Sequence, residues 1–254
     1  MNTQLNAKSV AKAMDVVVEK GKAQNWDQAQ YKAELTALLA EQRQNLRTAN
    51  SPLKAKARTD TMNLLYFWES SDCPDEHTAV YVDEISMDRF LFRKGVFIKK
   101  EQINKPIIFD LTVSKAEIAA YDDMPNNSAS PLVNQKMMDL LLAIAPNDVQ
   151  FFDAEVHCHD GVLTNYKLLN ITRTVVGIDR EQSIYTKSES LGAIRTVRRL
   201  VYNPGCMKNH LIARDAEYLG NILVTEEIKQ VFEKAKINGA QIFTPEDYYR
   251  NVWE

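Results

Sequence analysis

Glycine is scarce in this sequence. Eight occur among 254 residues, and no two fall close enough to form a backbone cradle for phosphates, so Gly-rich nucleotide-binding motifs are excluded. Cysteine is scarcer. Cys73, Cys158 and Cys206 are far apart and odd in number, which argues against a disulfide scaffold and fits a reducing cytoplasm. The sequons at Asn126 and Asn170 then read as chance matches. No apolar run approaches the roughly 18 residues that cross a bilayer. The opening MNTQLNAKSVAKAMD has neither the apolar core nor the cleavage site of a secretory signal, so neither a membrane nor export is expected. No serine sits in a G-x-S-x-G elbow.

What is present is ordinary in amount and uneven in distribution. Hydrophobic residues make up 45% and charged residues 26%, enough for a packed core and too apolar for wholesale disorder. The net charge is −3. Residues 1–61 hold ten Lys/Arg against six Asp/Glu, and the remainder holds 21 against 28. The main body is therefore acidic, which repels nucleic acid and favours basic protein partners, nucleases included.

Texture divides the chain at about residue 62. Before it, Val10, Met14, Val17 and Val18, then Tyr31, Leu35, Leu38, Leu39 and Leu46, follow helical spacing among good helix formers. The spacing predicts a helical hairpin, closed by Asn50-Ser51-Pro52. After it, MNLLYFW, AVYVDEI, FLFRKGVFI and PIIFDLTV read as strands, and DDMPNNSASP as a loop. Leu132 to Ala145 reads as a helix with Met137, Leu140, Leu141 and Ile144 inward. VQFFDAEVHC and NYKLLNITRTVVGI form a hairpin across Asp160-Gly161. TEEIKQVFEKAKI is a helix capped by Thr225, with Ile228, Val231 and Phe232 inward and Asn238-Gly239 as its left-handed stop. The expected fold is α+β: a helical module (1–61), then a domain (62–254) with a mixed, mainly antiparallel sheet and packed helices.

Candidate chemistry is thin. His157 and His159 alternate on a predicted strand and could face a metal together, but no second ligand cluster accompanies them; they read as a solvent face opposite Val156 and Cys158, and no metal or other cofactor is expected. Cys158 has histidine neighbours that point away from it, and Ser183 has no recognisable base. The stretch LLNITRTVVGIDREQSIY gathers Asp179, Arg180, Glu181, Ser183 and Tyr185, and reads as a polar turn after a buried strand, with Gly177 at the bend. The cluster Arg195, Arg198 and Arg199 alternates with apolar residues as a solvated basic face. Carboxylates are plentiful: Asp122, Asp123, Asp153, Glu155, Asp160, Asp179 and Glu181. Asp153 and Glu155 share one face of a predicted strand, a charge pair that gains value when a cationic partner arrives.

Five segments in order carry a resemblance. They are Pro131-Leu132-Val133 leading into a helix, Leu168-Leu169-Asn170-Ile171, Ile178-Asp179, Ser183-Ile184-Tyr185, and Gly239 to Phe243 after the final helix. Their order and spacing over about residues 62–250 resemble the family numbered eleven among the immunity proteins of polymorphic toxin systems. The sequence departs from that pattern where Asn134 replaces a serine, and residues 1–61 look like an added module.

The resemblance implies a non-enzymatic bacterial protector, made in the cytoplasm beside a toxin delivered by contact-dependent or type VI secretion. Such a protein binds its cognate toxin, often a nuclease, and covers the active site. It transfers no catalytic or contact residues. Charge and position make Asp153, Glu155, Asp179, Glu181, Asp122 and Asp123 the candidate toxin contacts, with the N-terminal hairpin as a second arm or a homodimer contact. An enzyme that reverses toxin damage, metal-dependent through His157 and His159 or otherwise, and a structural adaptor stay as alternatives.

Overall fold

The computed structural model describes residues 64–188 and 194–253. The helical hairpin expected over 1–61 lies outside the described residues. The described chain is a mixed α+β fold, mainly antiparallel. Five strands form one sheet in the order β13 (Ala240–Phe243), β1 (Leu65–Ser70), β12 (Ile222–Thr225), β11 (Ile212–Asp215) and β8 (Thr174–Val175). Six form a second, in the order β2 (Val80–Tyr81), β3 (Ile108–Asp110), β6 (Val149–Cys158), β7 (Gly161–Ile171), β5 (Leu132–Asn134) and β4 (Asp123–Met124). Strands β9 (Ile184–Lys187) and β10 (Ile194–Arg199) pair as a separate ribbon. Among the described residues, the strand pairs β3–β6 and β8–β11 are parallel and the others antiparallel. Three sheet margins, β2, β4 and β8, are two residues long.

The helices are α1 (Lys115–Ile118), α2 (Gln135–Ile144), α3 (Glu226–Ala235) and α4 (Pro245–Trp253). Helix α2 buries Met137, Leu140, Leu141 and Ile144, and α3 buries Ile228, Val231 and Phe232, the faces their spacing predicts. Both stripes enter one core with Tyr66, Trp68, Ile212 and Val224 of the first sheet and Val133, Leu169 and Ile171 of the second. The far side of the six-stranded sheet carries a core around Phe92, Phe109, Val156 and Leu168. The far side of the five-stranded sheet packs Phe67, Ala213 and Leu223 against the ribbon and Tyr249 of α4. The long hairpin β6–β7 pairs from Val149–Ile171 to Cys158–Gly161, so the turn residues are His159 and Asp160.

Several expectations need correction. Helix α2 starts at Gln135, because Leu132–Asn134 is strand β5, hydrogen-bonded to β4 and β7. Asn134 caps the helix by accepting from the Met137 N–H at 3.1 Å. Serine and asparagine are both good caps, so Asn134 supplies the capping function that a serine would supply there. AVYVDEI yields only the two-residue β2, and FLFRKGVFI is no strand: Arg89–Arg93 is a 3₁₀ turn whose start Asp88 caps by accepting from Phe90 N–H. Such local side-chain bonds compete with sheet pairing. The left-handed stop of α3 is Lys236 at φ 50°, not Asn238-Gly239. Gly239 has φ 96°, and a Cβ there would lie 1.9 Å from the Asp123 carbonyl oxygen; the glycine allows the chain after α3 to touch β4.

Candidate functional site

Alternation along β6 sends Ala154 and Val156 into the core and leaves Asp153 and Glu155 exposed on the other face. Parallel pairing places β3 beside β6 with Asp110 opposite His157. The result is a solvent-facing acidic row: Asp110, Glu155 and Asp153. His157 stands within it, its Nδ1 3.5 Å from Asp110 Oδ1 and its Nε2 3.1 Å from Glu155 Oε2. Lys167, the cross-strand neighbour of Asp153, pairs with that carboxylate. The two acids flanking His157 sit on opposite ring nitrogens and cannot close on one ion. His159 lies beyond the strand end, in the turn, so the two histidines share no strand face. Among the described residues, no group of three or more His, Cys, Asp or Glu side chains is arranged to hold a metal.

Asp179 and Glu181 belong to a different place, the turn after β8 of the other sheet. The Asp179 carboxylate accepts from the Glu181 and Gln182 backbone N–H groups and from Gln182 Nε2, and these bonds, the Gln182 side chain first, hold its pKa below the usual range. Ser183 is bonded in both directions to Val201. The polar cluster of the sequence is thus a turn that consumes its own side chains. Glu181 alone of the two acids is open to solvent.

Asp122 and Asp123 are buried. The Asp122 carboxylate accepts from Asn134 Nδ2 at 2.8 Å, Lys136 Nζ at 2.7 Å and Asn238 N at 3.0 Å, tying β4 to the starts of α2 and β13. Asp123 reaches across to the first sheet, accepting from Trp68 Nε1 at 2.9 Å on Oδ2, while Oδ1 finds no close hydrogen-bond donor among the described residues. Their places in the interior, against the expectation from composition, come from the strand β4 hidden inside a polar-looking loop.

Asp123 lines a cavity of about 70 Å³ with Trp68, Glu69, Asn126, Ser130 and Ile222. Burial pushes Asp123 up to about 8 and Glu69 up to about 7. Nearby, Arg214 on β11 is fully enclosed. It donates from Nη1 to the Leu219 carbonyl, and from Nη2 to the Ala129 carbonyl and Ser130 Oγ, at 2.9–3.0 Å. Burial draws its pKa down to about 10. The sequence reading missed this junction, together with Asp148, whose carboxylate accepts from the Leu211 and Ile212 N–H groups. The only available signal was an arginine inside the otherwise strand-like run Leu211–Asp215.

A larger groove, about 320 Å³, runs past Leu65, Tyr202, Cys206, Met207 and Pro245. Burial raises the Cys206 thiol pKa, which is the opposite of nucleophile activation. Among the described residues no helix is long and apolar enough to cross a membrane.

The sequence pattern described as Immunity protein family (Imm11) matches residues 33–242. The matched span begins inside the stretch read as an added module and takes in both sheets, α2 and α3. No curated protein matches the chain.

Proposed function

The chain belongs to the Imm11 immunity protein family, and from that premise we propose that it neutralises a cognate toxin by adhesion, using its acidic face. The observation that supports this reading is the row Asp110, Glu155 and Asp153 on the open face of β3 and β6. A row of carboxylates on rigid strands complements a cationic groove, and the groove of a nuclease is cationic because its substrate is not. We take the toxin to be such a nuclease, delivered by contact-dependent or type VI secretion and met in the cytoplasm of the producer and its siblings. Asp153, Glu155 and Glu181 are the contacts retained; Asp179 shapes the turn that presents Glu181, and Asp122 and Asp123 hold the scaffold from within. Residues 1–61 would supply a second arm or a contact between two copies.

The task sets the scale. A few free toxin molecules kill, so affinity should be about nanomolar or tighter, near −12 kcal/mol, with roughly 1,200–2,000 Å² of total buried area. Enzymatic reversal of damage is the competing reading. Its buried acid pair, Glu69 with Asp123, lines only about 70 Å³, below the roughly 300 Å³ of ligand pockets, and the groove of about 320 Å³ that reaches that size holds Cys206 with its thiol pKa raised, the opposite of an activated nucleophile.

The test is charge reversal at Asp153, Glu155 and Glu181 together, read by stopped-flow association with the toxin domain and by survival of cells expressing it. The association rate should fall about tenfold or more at low salt. An unchanged rate with full protection would remove the electrostatic mechanism.

A further inference from the structure

Acidity is not uniform over the body. From Asp88 to Lys105 run Arg89, Arg93, Lys94, Lys99, Lys100 and Lys105 against only Asp88 and Glu101. The same stretch turns two aromatic rings to solvent, Phe90 at 55% and Phe97 at 67% exposure, with Val96 also exposed.

These side chains stand on a backbone that is held from behind. Gln150 on β6 accepts from the Ile98 N–H at 2.9 Å and donates to the Ile98 carbonyl at 3.0 Å. Asn170 on β7, wholly buried, donates to the Val96 carbonyl at 2.9 Å. Gly95, at φ 65°, lies so close to Thr174 that a Cβ would come within 2.3 Å of its methyl group. Phe92 and Ile98 are buried on either side. The exposure of Phe90 and Phe97 is therefore built, and presenting them in a fixed position lowers the ordering cost of binding.

Position links this surface to the acidic row. Phe92 packs against Phe152 with ring centroids 5.4 Å apart, so the loop covers the face of the six-stranded sheet opposite Asp153 and Glu155. The loop also joins β2 to β3, and β2 is that sheet's edge. The basic aromatic patch and the acidic row thus lie on opposite faces of this sheet.

Charge and ring geometry select the partner. The rim of cations calls for carboxylates. The Arg89 and Arg93 guanidiniums lie over the Phe90 ring, 5.7 and 5.5 Å from its centroid, so that ring is not a free platform for a stacked base. An aromatic edge ringed by arginine is the composition of protein–protein hot spots. We infer that Asp88–Lys105 is a docking surface for a protein bearing an apolar depression rimmed by acidic side chains. Resting on the adhesion reading above, that protein is the toxin domain, which reaches both faces of the six-stranded sheet.

The experiment titrates the full chain, by calorimetry, with the purified and catalytically inactivated C-terminal domain encoded by the neighbouring toxin gene. Phe90→Ala with Phe97→Ala should weaken binding by roughly 100-fold or more while thermal unfolding stays put, because neither ring is in a core. Lys99→Glu with Lys100→Glu should weaken it by about tenfold. Unchanged affinity in the double alanine variant, with loss on Asp153→Lys and Glu155→Lys, would overturn the loop assignment and leave toxin adhesion standing. No binding by the unsubstituted chain would overturn both. Tight binding of a labelled single-stranded RNA of roughly 20 nucleotides, abolished by the alanine pair, would overturn the choice of a protein partner.

Discussion

Trp68 donates its indole N–H to Asp123 across 2.9 Å, and the two residues belong to different sheets, Trp68 to β1 and Asp123 to β4. The bond is one of the polar links between the layers. Trp68 also meets Phe232 of α3 edge-on at 5.1 Å, so the same side chain joins the polar junction to the main core.

That junction sets a pH dependence. Asp123 and Glu69 are pushed up to about 8 and about 7 in the folded chain, by burial first, from ordinary values of 3.8 and 4.5. Between those limits the folded chain keeps protons that the unfolded chain has released, so stability falls as pH rises. The contribution is whole below about pH 4 and is lost as pH climbs through about 7 and 8. Each group contributes a slope of at most about 1.4 kcal/mol per pH unit. Thermal unfolding of Asp123→Asn should decline less from acid to alkaline pH than that of the unsubstituted chain. Parallel declines would contradict the assignment.

Arg214→Ala should be among the most damaging single changes. It strips hydrogen bonds from two carbonyls and from Ser130 and opens a void at a fully buried position. A loss of roughly 3 kcal/mol or more is expected, seen as a lower urea midpoint. A shift under about 1 kcal/mol would mean that water replaces the guanidinium without penalty.

Two left-handed residues near the end of α3 should respond in opposite directions. Lys236, exposed at φ 50°, carries a strain that glycine relieves, so Lys236→Gly should stabilise by about 0.5–1 kcal/mol. Gly239→Ala should destabilise by about 2 kcal/mol or more, because its new methyl meets the Asp123 carbonyl oxygen. Melting temperatures of the two variants on opposite sides of the unsubstituted chain would verify both.

Asn134→Ala removes the cap of α2 and should cost about 1–2 kcal/mol. Asn134→Ser restores the bond to Met137 N–H but not the one to Asp122, and should recover about half of that loss. Equal melting temperatures for the two variants would show that the cap contributes little.

What was legible in the sequence was what depends on local periodicity. Met137, Leu140, Leu141 and Ile144, and Ile228, Val231 and Phe232, announce their helices because 3.6-residue spacing requires no knowledge of the partner surface. The β6–β7 hairpin was equally plain, with Asp153 and Glu155 on its outer face. Asp122 and Asp123 misled because burial is a property of what packs on a residue; their covers, Trp68, Lys136 and Asn238, come from distant segments. Phe90 and Phe97 misled for the converse reason. Their apolar run looked like a strand, yet Asp88, Gly95, Gln150 and Asn170 fold it into a loop with the rings outside.

The brevity of β2, β4 and β8 has a further consequence. A two-residue margin offers an incoming chain almost no main-chain ladder to extend, so recognition by strand addition is poorly supported at those edges. Partner choice falls to side chains displayed on sheet faces and loops. Such positions change by point substitution without disturbing the layers beneath, so the same framework can be re-aimed at a new adversary one residue at a time.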